Sequence, residues 1–460
     1  MYKGSQETAT IITPRLLDEI VFHFRELIRF NTTNPPGNES PAACYIADVL
    51  NRNGIENELI EPVPGRASVV ARLRGDGSAR PLLLMSHLDV VGAEEENWDH
   101  HPFSAHEEDG YIWGRGALDC KNTVALWMTA LLALSRSETP LKRDVIFLAA
   151  ADEEGGGRYG TGWIVKHRPE FINAEAALNE GGGIALGLMG RTYYTYQTGE
   201  KGNLWLRITV RGTAGHGSVP RHDNPVGRII RLLLGIQRKA GGAAPTRTMR
   251  EMIKTFSSHS RFPGNVLIRL VLNPLLSEFL IRRGLGESEM APVIRALVRN
   301  TITPTVLRAG HKSNVIPSEA VAELDIRVLP GTDIHRYLEN IKRALGEDVE
   351  VEVLDIQPPS ESPVDHPLAD SIKRVLSRHH PGAPVIPILL PAVSDGGYLR
   401  RLGTVVYGFS PLLPGEDTDR IHGHNERISI DSLLYSLKIG LEVIMDYSSS
   451  DTFNKKFIKS

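Results

Sequence analysis

The chain has 460 residues, enough for two or three domains at about 150 residues each, and carries 52 Lys+Arg against 55 Asp+Glu for a formal charge of −3. That near-balance lacks the basic excess of a nucleic-acid-binding protein, and 41% hydrophobic with 23% charged residues argues against a mainly disordered chain. Two cysteines, Cys44 and Cys120, exclude a disulfide scaffold and a four-cysteine zinc site, and fit a reducing compartment.

No apolar core follows a basic start at the N-terminus, so no secretory signal is expected. Taken in order, residues 16–30 have helical spacing and stop before Asn34-Pro35-Pro36-Gly37; residues 40–53 read as a second helix. Short apolar runs at 68–73 and 82–86 predict strands, 123–135 a helix with a broad apolar face, and 145–151 and 176–179 buried strands. Such alternation predicts an α/β fold with a mostly parallel central sheet. From residue 199 the pattern changes: strand 204–210, a helix opened by Asn224-Pro225, strands 303–308 and 320–328, helix 334–345 and strand 349–354 give the β-α-β-β-α-β order of a ferredoxin-like unit.

Residues 240–300 stand outside that unit and read as helices broken at Pro263-Gly264 and Gly284. Their most apolar part, 266–285, is interrupted by Arg269, Asn273, Pro274, Glu278, Arg282 and Arg283, so no membrane span is expected. Helix 368–379, strand 404–409 and helix 430–445 then complete the first domain. The expected arrangement is therefore a catalytic domain in two parts, 1–198 and 356–460, with an α+β domain inserted at 199–355, in a cytoplasmic protein.

Four motifs carry chemistry-bearing side chains. His87 in Ser86-His87-Leu88-Asp89 ends a buried strand; alone it reads as a core histidine, but Asp89 is placed to hold its far ring nitrogen, as carboxylates do for metal-bound histidines. Asp119, after the glycine-rich Gly114-Arg115-Gly116, reads alone as a helix cap. The adjacent acids Asp152, Glu153 and Glu154 repel one another unless a solvated loop or a cation relieves them; on a cation, one carboxylate ligates and its neighbour acts as base. Glu180 ends a short apolar strand and is followed by glycines. Each motif lies just past a strand's carboxyl end or at the next helix start, where open α/β sheets place their ligand crevice. Together they form an oxygen-rich set with one imidazole, suited to zinc, manganese or cobalt, with room for two cations sharing a carboxylate. Arg420-Ile421-His422-Gly423-His424 supplies a further histidine.

These motifs, in this order over about residues 15–445, resemble the di-zinc aminoacylase and carboxypeptidase family, which includes aminoacylase, carnosinase, succinyl-diaminopimelate desuccinylase and glutamate carboxypeptidase. The resemblance implies that His87, Asp119, Glu154, Glu180 and His422 (rather than His424) bind two zinc ions, cobalt or manganese being the alternatives. Asp119 would bridge them, and its bond to Cys120 would be cis. It further implies that Asp89 orients His87, that Glu153 is the general base and that the inserted domain is a lid. His216, in Gly212-Thr213-Ala214-Gly215-His216-Gly217, matches the family's active-site histidine, commonly supplied by the partner of a homodimer formed through that lid. Asn314 and Arg327 match positions that bind a substrate's carboxylate or backbone; alone, Arg327 reads as a solvated strand residue.

The segment 245–300 is longer than in compact members and resembles the carboxypeptidase S-like branch. The function this implies is metal-dependent hydrolysis of an N-acyl amino acid or short peptide with a free carboxylate. The alternatives are a dipeptidase or carboxypeptidase within the same chemistry, and a catalytically silent binding relative outside it.

Overall fold

A computed structural model describes residues 11–449 apart from 138, 189, 242–243, 262–263, 274–275, 278 and 281–289. The chain divides into two compact units: Met1–Gln197, Ser362–Ile386 and Ser394–Ser460 in one, Thr198–Glu361 and Pro387–Val393 in the other.

The first unit opens with α1 (Pro14–Arg29), started by Pro14 and by Thr13, whose side chain accepts from the Leu16 N–H. There follow α2 (Ser40–Arg52), β1 (Glu56–Ile60), β2 (Ser68–Leu73), β3 (Leu82–His87), the hairpin of β4 (His106–Glu108) and β5 (Tyr111–Trp113), α3 (Lys121–Ser135), β6 (Val145–Ala150), α4 (Thr161–His167), β7 (Ala176–Asn179), β8 (Ala185–Leu188) and β9 (Arg191–Glu200). The second unit contributes β10 (Gly202–Arg211), β11 (Gly215–His216), α5 (Pro225–Gln237), α6 (Arg247–Ser258), α7 (Gly264–Leu270), α8 (Met290–Val298), β12 (Thr301–Ala309), β13 (Val315–Ile316), β14 (Glu319–Val328), α9 (Ile334–Leu345), β15 (Val349–Gln357) and β16 (Ser360–Glu361). The chain then continues with α10 (Pro367–His379), β17 (Val385–Leu390), α11 (Gly396–Arg401), β18 (Val405–Gly408), β19 (Arg427–Ser429) and α12 (Ile430–Ser448). The expected helix breaks at Pro263 and Gly284 lie outside the described residues, and Gly264 opens α7.

The first unit is built on a mixed sheet in the order β1-β2-β6-β3-β7-β18-β9, whose centre, β6-β3-β7-β18, is parallel. Its central strands bury both faces, as parallel strands covered by helices must. Leu82, Leu84, Val145, Phe147 and Leu178 pack into one core with α1, α3, α10 and α12; Leu83, Met85, Ile146 and Leu148 pack into a second with Ile164 and Leu399 from α4 and α11. The helix α3 is buried on nearly all sides, which is why its apolar face is so broad.

In the second unit the antiparallel sheet runs β12-β14-β10-β15, the split β-α-β arrangement. Leu204, Leu206, Ile208 and Val210 of β10 alternate inward against Ile229 and Leu233 of α5 and Ile334, Leu338 and Ile341 of α9. On the opposite face Arg207 pairs with Glu323 and Glu352, and Arg211 with Glu319 and Glu350. Within residues 245–300, α6 buries Met249, Met252, Ile253 and Phe256. No helix among the described residues is long and apolar enough to cross a membrane.

Candidate metal centre

The parallel strands deliver their side chains at one end of the first unit's sheet. His87 closes β3, the chain leaves β6 into Asp152-Glu153-Glu154 and leaves β7 into Glu180, while Asp119 precedes α3. His87 Nε2 stands 3.1 Å from Asp119 Oδ1 and 3.1 Å from Glu180 Oε2. On the other side of Asp119, His422 Nε2 stands 3.0 Å from Oδ2 and 3.2 Å from Glu154 Oε1. Asp119 thus gives one oxygen to each of two donor sets, His87-Asp119-Glu180 and Asp119-Glu154-His422. His422 adopts the left-handed conformation, φ 60°, whereas His424 pairs with Glu94. The Asp119–Cys120 bond is cis. The Cys120 thiol, pushed up by burial, lies 3.0 Å from Ser86 Oγ.

The electrostatics of this group match a cation site. Hydrogen bonds to Asp119 and Glu154 push His422 up to about 10. Burial would raise the Asp119 carboxyl, but hydrogen bonds from His422 and His87 outweigh it and hold it below the usual range. Burial and the neighbouring Glu180 carboxylate push Glu153 up, and burial also pushes Glu180 up. The cluster draws protons onto its imidazoles and two of its acids, and divalent ions relieve the same repulsion. Two imidazoles and three carboxylates are moreover donors that suit zinc, cobalt or manganese.

Asp89 is wholly buried and holds the site in two ways. Its main-chain carbonyl accepts from His87 Nδ1 at 2.9 Å, while its carboxylate lies farther from that nitrogen, at 3.6 Å. A carbonyl only accepts, so Nδ1 carries a hydrogen, and Nε2, the nitrogen turned toward Asp119 and Glu180, is the one left to bind a cation. The Asp89 carboxylate instead accepts the main-chain N–H groups of Glu153 and Glu154, each at 3.0 Å.

Sequence reasoning gave no role to Glu426, which the structure puts behind Asp119. Its buried carboxylate accepts the N–H groups of Gly116, Leu118 and Asp119 at 3.1, 2.6 and 3.1 Å, and Arg115 Nη1 at 2.7 Å. Arg115 is buried too. Glu426→Ala strands that guanidinium and three N–H groups, so a loss of about 3–5 kcal/mol is expected, read as a lower urea midpoint. A loss below about 1 kcal/mol would show that water replaces the carboxylate.

The three remaining residues singled out in the sequence, His216, Asn314 and Arg327, belong to the second unit. β11 pairs with β13, setting His216 opposite Val315 and beside the Asn314 backbone, whose carbonyl accepts from the Gly217 N–H at 2.7 Å. His216 is exposed, and the Ser218 N–H donates to its Nδ1 at 3.2 Å. Arg327 on β14 forms a two-point pair with Asp325, at 2.7 and 3.1 Å.

Residues 83–446 match the sequence pattern described as Peptidase family M20/M25/M40. The chain belongs to that family. It is a hydrolase of the metallopeptidase type, in keeping with the resemblance read from its motifs. This M20 chain is 32% identical over 426 residues to a Xenopus tropicalis protein named N-fatty-acyl-amino acid synthase/hydrolase PM20D1, covering 89% of this chain and 80% of that one. It is 30% identical to a Dictyostelium discoideum protein named probable carboxypeptidase S-like 2, covering 79% and 71%. Among solved structures, the M20 family metallo-carboxypeptidase Sso-CP2 from Sulfolobus solfataricus superposes with a TM-score of 0.72 at 22% identity, covering 93% of this chain and 99% of that one, and so shares the fold.

Proposed function

We propose that this M20 chain hydrolyses the amide bond of N-acyl amino acids bearing a free carboxylate, in the manner of an aminoacylase. The observation that carries the reading is Asp119, whose two oxygens face two separate donor sets, beside a Glu153 carboxyl raised by burial and by the charge of Glu180. His87, Asp119 and Glu180 would hold one zinc ion and Asp119, Glu154 and His422 the other; cobalt or manganese suits the same donors. Such ions, when bound, lower the pKa of a water and polarise the carbonyl to be attacked.

The chain's own residues do the rest. Glu153 takes a proton from the water as its oxygen adds to the carbonyl carbon. It gives that proton to the amine nitrogen as the C–N bond breaks, leaving a carboxylic acid and a free amino group. His216 donates to the oxyanion, the term that usually dominates acyl transfer. Asn314 and Arg327 clamp the substrate's carboxylate, and the fork of Arg327 suits two parallel hydrogen bonds. The reading includes a cytoplasmic homodimer formed through residues 199–355 as a lid, with His216 serving the partner's site.

The proposed substrate carries a long acyl chain. In support, Val266, Leu276 and Phe279 of residues 245–300 are exposed by 48%, 40% and 59%, and one relative is named for N-fatty-acyl amino acids. Each buried CH₂ is worth roughly 0.8 kcal/mol, so kcat/KM should rise about fourfold per methylene from acetyl to dodecanoyl until the site is filled. The deciding assay runs that series beside dipeptides, with zinc, cobalt and manganese. A flat series would leave the insertion a packing role. Turnover of dipeptides alone would make the enzyme a dipeptidase, and no turnover of either class would make it a binding protein.

A further inference from the structure

Behind the two donor sets lies a buried group of charges that the proposed reaction does not use. Asp89, Asp152 and Glu39 are 0%, 3% and 0% exposed, and the guanidinium of Arg66 pairs with two of them, Glu39 and Asp152. Arg66 donates to both Glu39 oxygens at 2.7 and 2.8 Å and to Asp152 Oδ1 at 2.8 Å. Asp152 has a left-handed main chain, φ 67°, an uncommon conformation outside glycine. Glu39 Oε1 accepts its N–H at 3.2 Å, and its own Oδ2 accepts the Tyr159 N–H at 2.9 Å.

Asp89 and Asp152 flank one neutral donor. Asn34 Nδ2 gives one hydrogen to Asp89 Oδ2 at 2.8 Å and the other to Asp152 Oδ1 at 3.1 Å. The loop of Glu153 and Glu154 packs directly onto this contact: a Cβ on Gly155 would stand 2.4 Å from Asp152 Oδ1 and 2.9 Å from Asn34 Nδ2. The chemistry of the position selects an amide. A carboxylate there adds a further negative charge, and an apolar residue takes one donor from each of two buried carboxylate oxygens, leaving Asp152 Oδ1 with Arg66 and Asp89 Oδ2 with the Glu154 N–H but nothing joining the two.

We infer that Asn34 is a positioning residue: its amide ties Asp89 to Asp152 and thereby fixes the main chain that carries Glu153 and Glu154. The inference rests on the reading of Glu153 as base and Glu154 as ligand. Asp89 is the link, since the oxygen that takes the Asn34 hydrogen also takes the Glu154 N–H, and its other oxygen takes the Glu153 N–H. Losing the amide frees the Asp89 carboxylate to rotate, and a displacement of about 1 Å at a reacting group costs on the order of 100-fold in rate.

The test compares Asn34→Ala and Asn34→Ser with the wild type, each loaded with Co²⁺ and crystallised. Asn34→Ala should still bind cobalt but show shifted d–d absorption bands, with the Asp89 carboxylate turned from the Glu153 and Glu154 N–H groups. With N-dodecanoyl amino acids its kcat should fall about 10- to 100-fold while KM stays within about twofold. Asn34→Ser restores one donor and should recover part of both signals; it also serves if the alanine variant fails to fold. Unchanged cobalt bands with an unmoved Asp89 overturn the inference, as does lowered stability with the same spectrum, which makes Asn34 a residue of the fold. If the wild type hydrolyses no N-acyl amino acid, the functional reading fails, while the cobalt bands and the Asp89 position still decide the role of Asn34.

Discussion

Glu153→Gln keeps its metals and loses turnover by about 100-fold or more, the expected cost of removing a general base. The substitution is nearly isosteric and leaves the Glu153 N–H on Asp89 Oδ1, so the loop keeps its path. A neutral amide, however, cannot accept the water's proton. The adjacent residue gives the contrast. Glu154 Oε1 faces His422 Nε2 in the donor set shared with Asp119, so Glu154→Gln removes an anionic donor and should lower metal occupancy. Metal analysis and turnover on the same two samples separate the roles. Wild-type rates from Glu153→Gln would remove it as the base; full metal content in Glu154→Gln would remove it as a ligand.

The sequence shows the gathered side chains because of how parallel sheets are made. Strands buried on both faces are short apolar runs, and the polar residues that close each run stand at the carboxyl end of the sheet. His87, Glu153 and Glu180 are legible for that reason, and the structure brings all of them to one end of the sheet. The supporting charges are not legible in this way. Arg66 meets Glu39 across 27 residues and Asp152 across 86, and Arg115 meets Glu426 across 311, so no local pattern marks them.

The strand β9 was missed for a related reason: Thr195 and Gln197 are fully buried, so a strand that is interior reads as polar. Asp89 lies between these cases. Its spacing from His87 suggested a contact with Nδ1, but the carbonyl makes the short bond, freeing the carboxylate for the main chain of Glu153 and Glu154.

His216→Ala should lower kcat by about 100- to 1,000-fold, the range seen when one oxyanion donor is removed. The local geometry gives the histidine a suitable tautomer. The Ser218 main-chain N–H donates to Nδ1, so in the neutral ring Nε2 carries the hydrogen. That hydrogen sits on an exposed side chain in a two-residue strand flanked by glycine, free to serve another molecule's carbonyl oxygen. With His216 acting in the partner's site, two inactive chains repair each other: in a mixed dimer of His216→Ala and Glu153→Gln, one site holds wild-type His216 together with wild-type Glu153. Mixing them should therefore raise activity above either parent, as C₂ exchange of a shared residue requires. Absence of rescue after proven subunit exchange would assign His216 to its own chain's site. A His216→Ala enzyme with undiminished kcat would remove it from the reaction and leave oxyanion stabilisation to the metals alone.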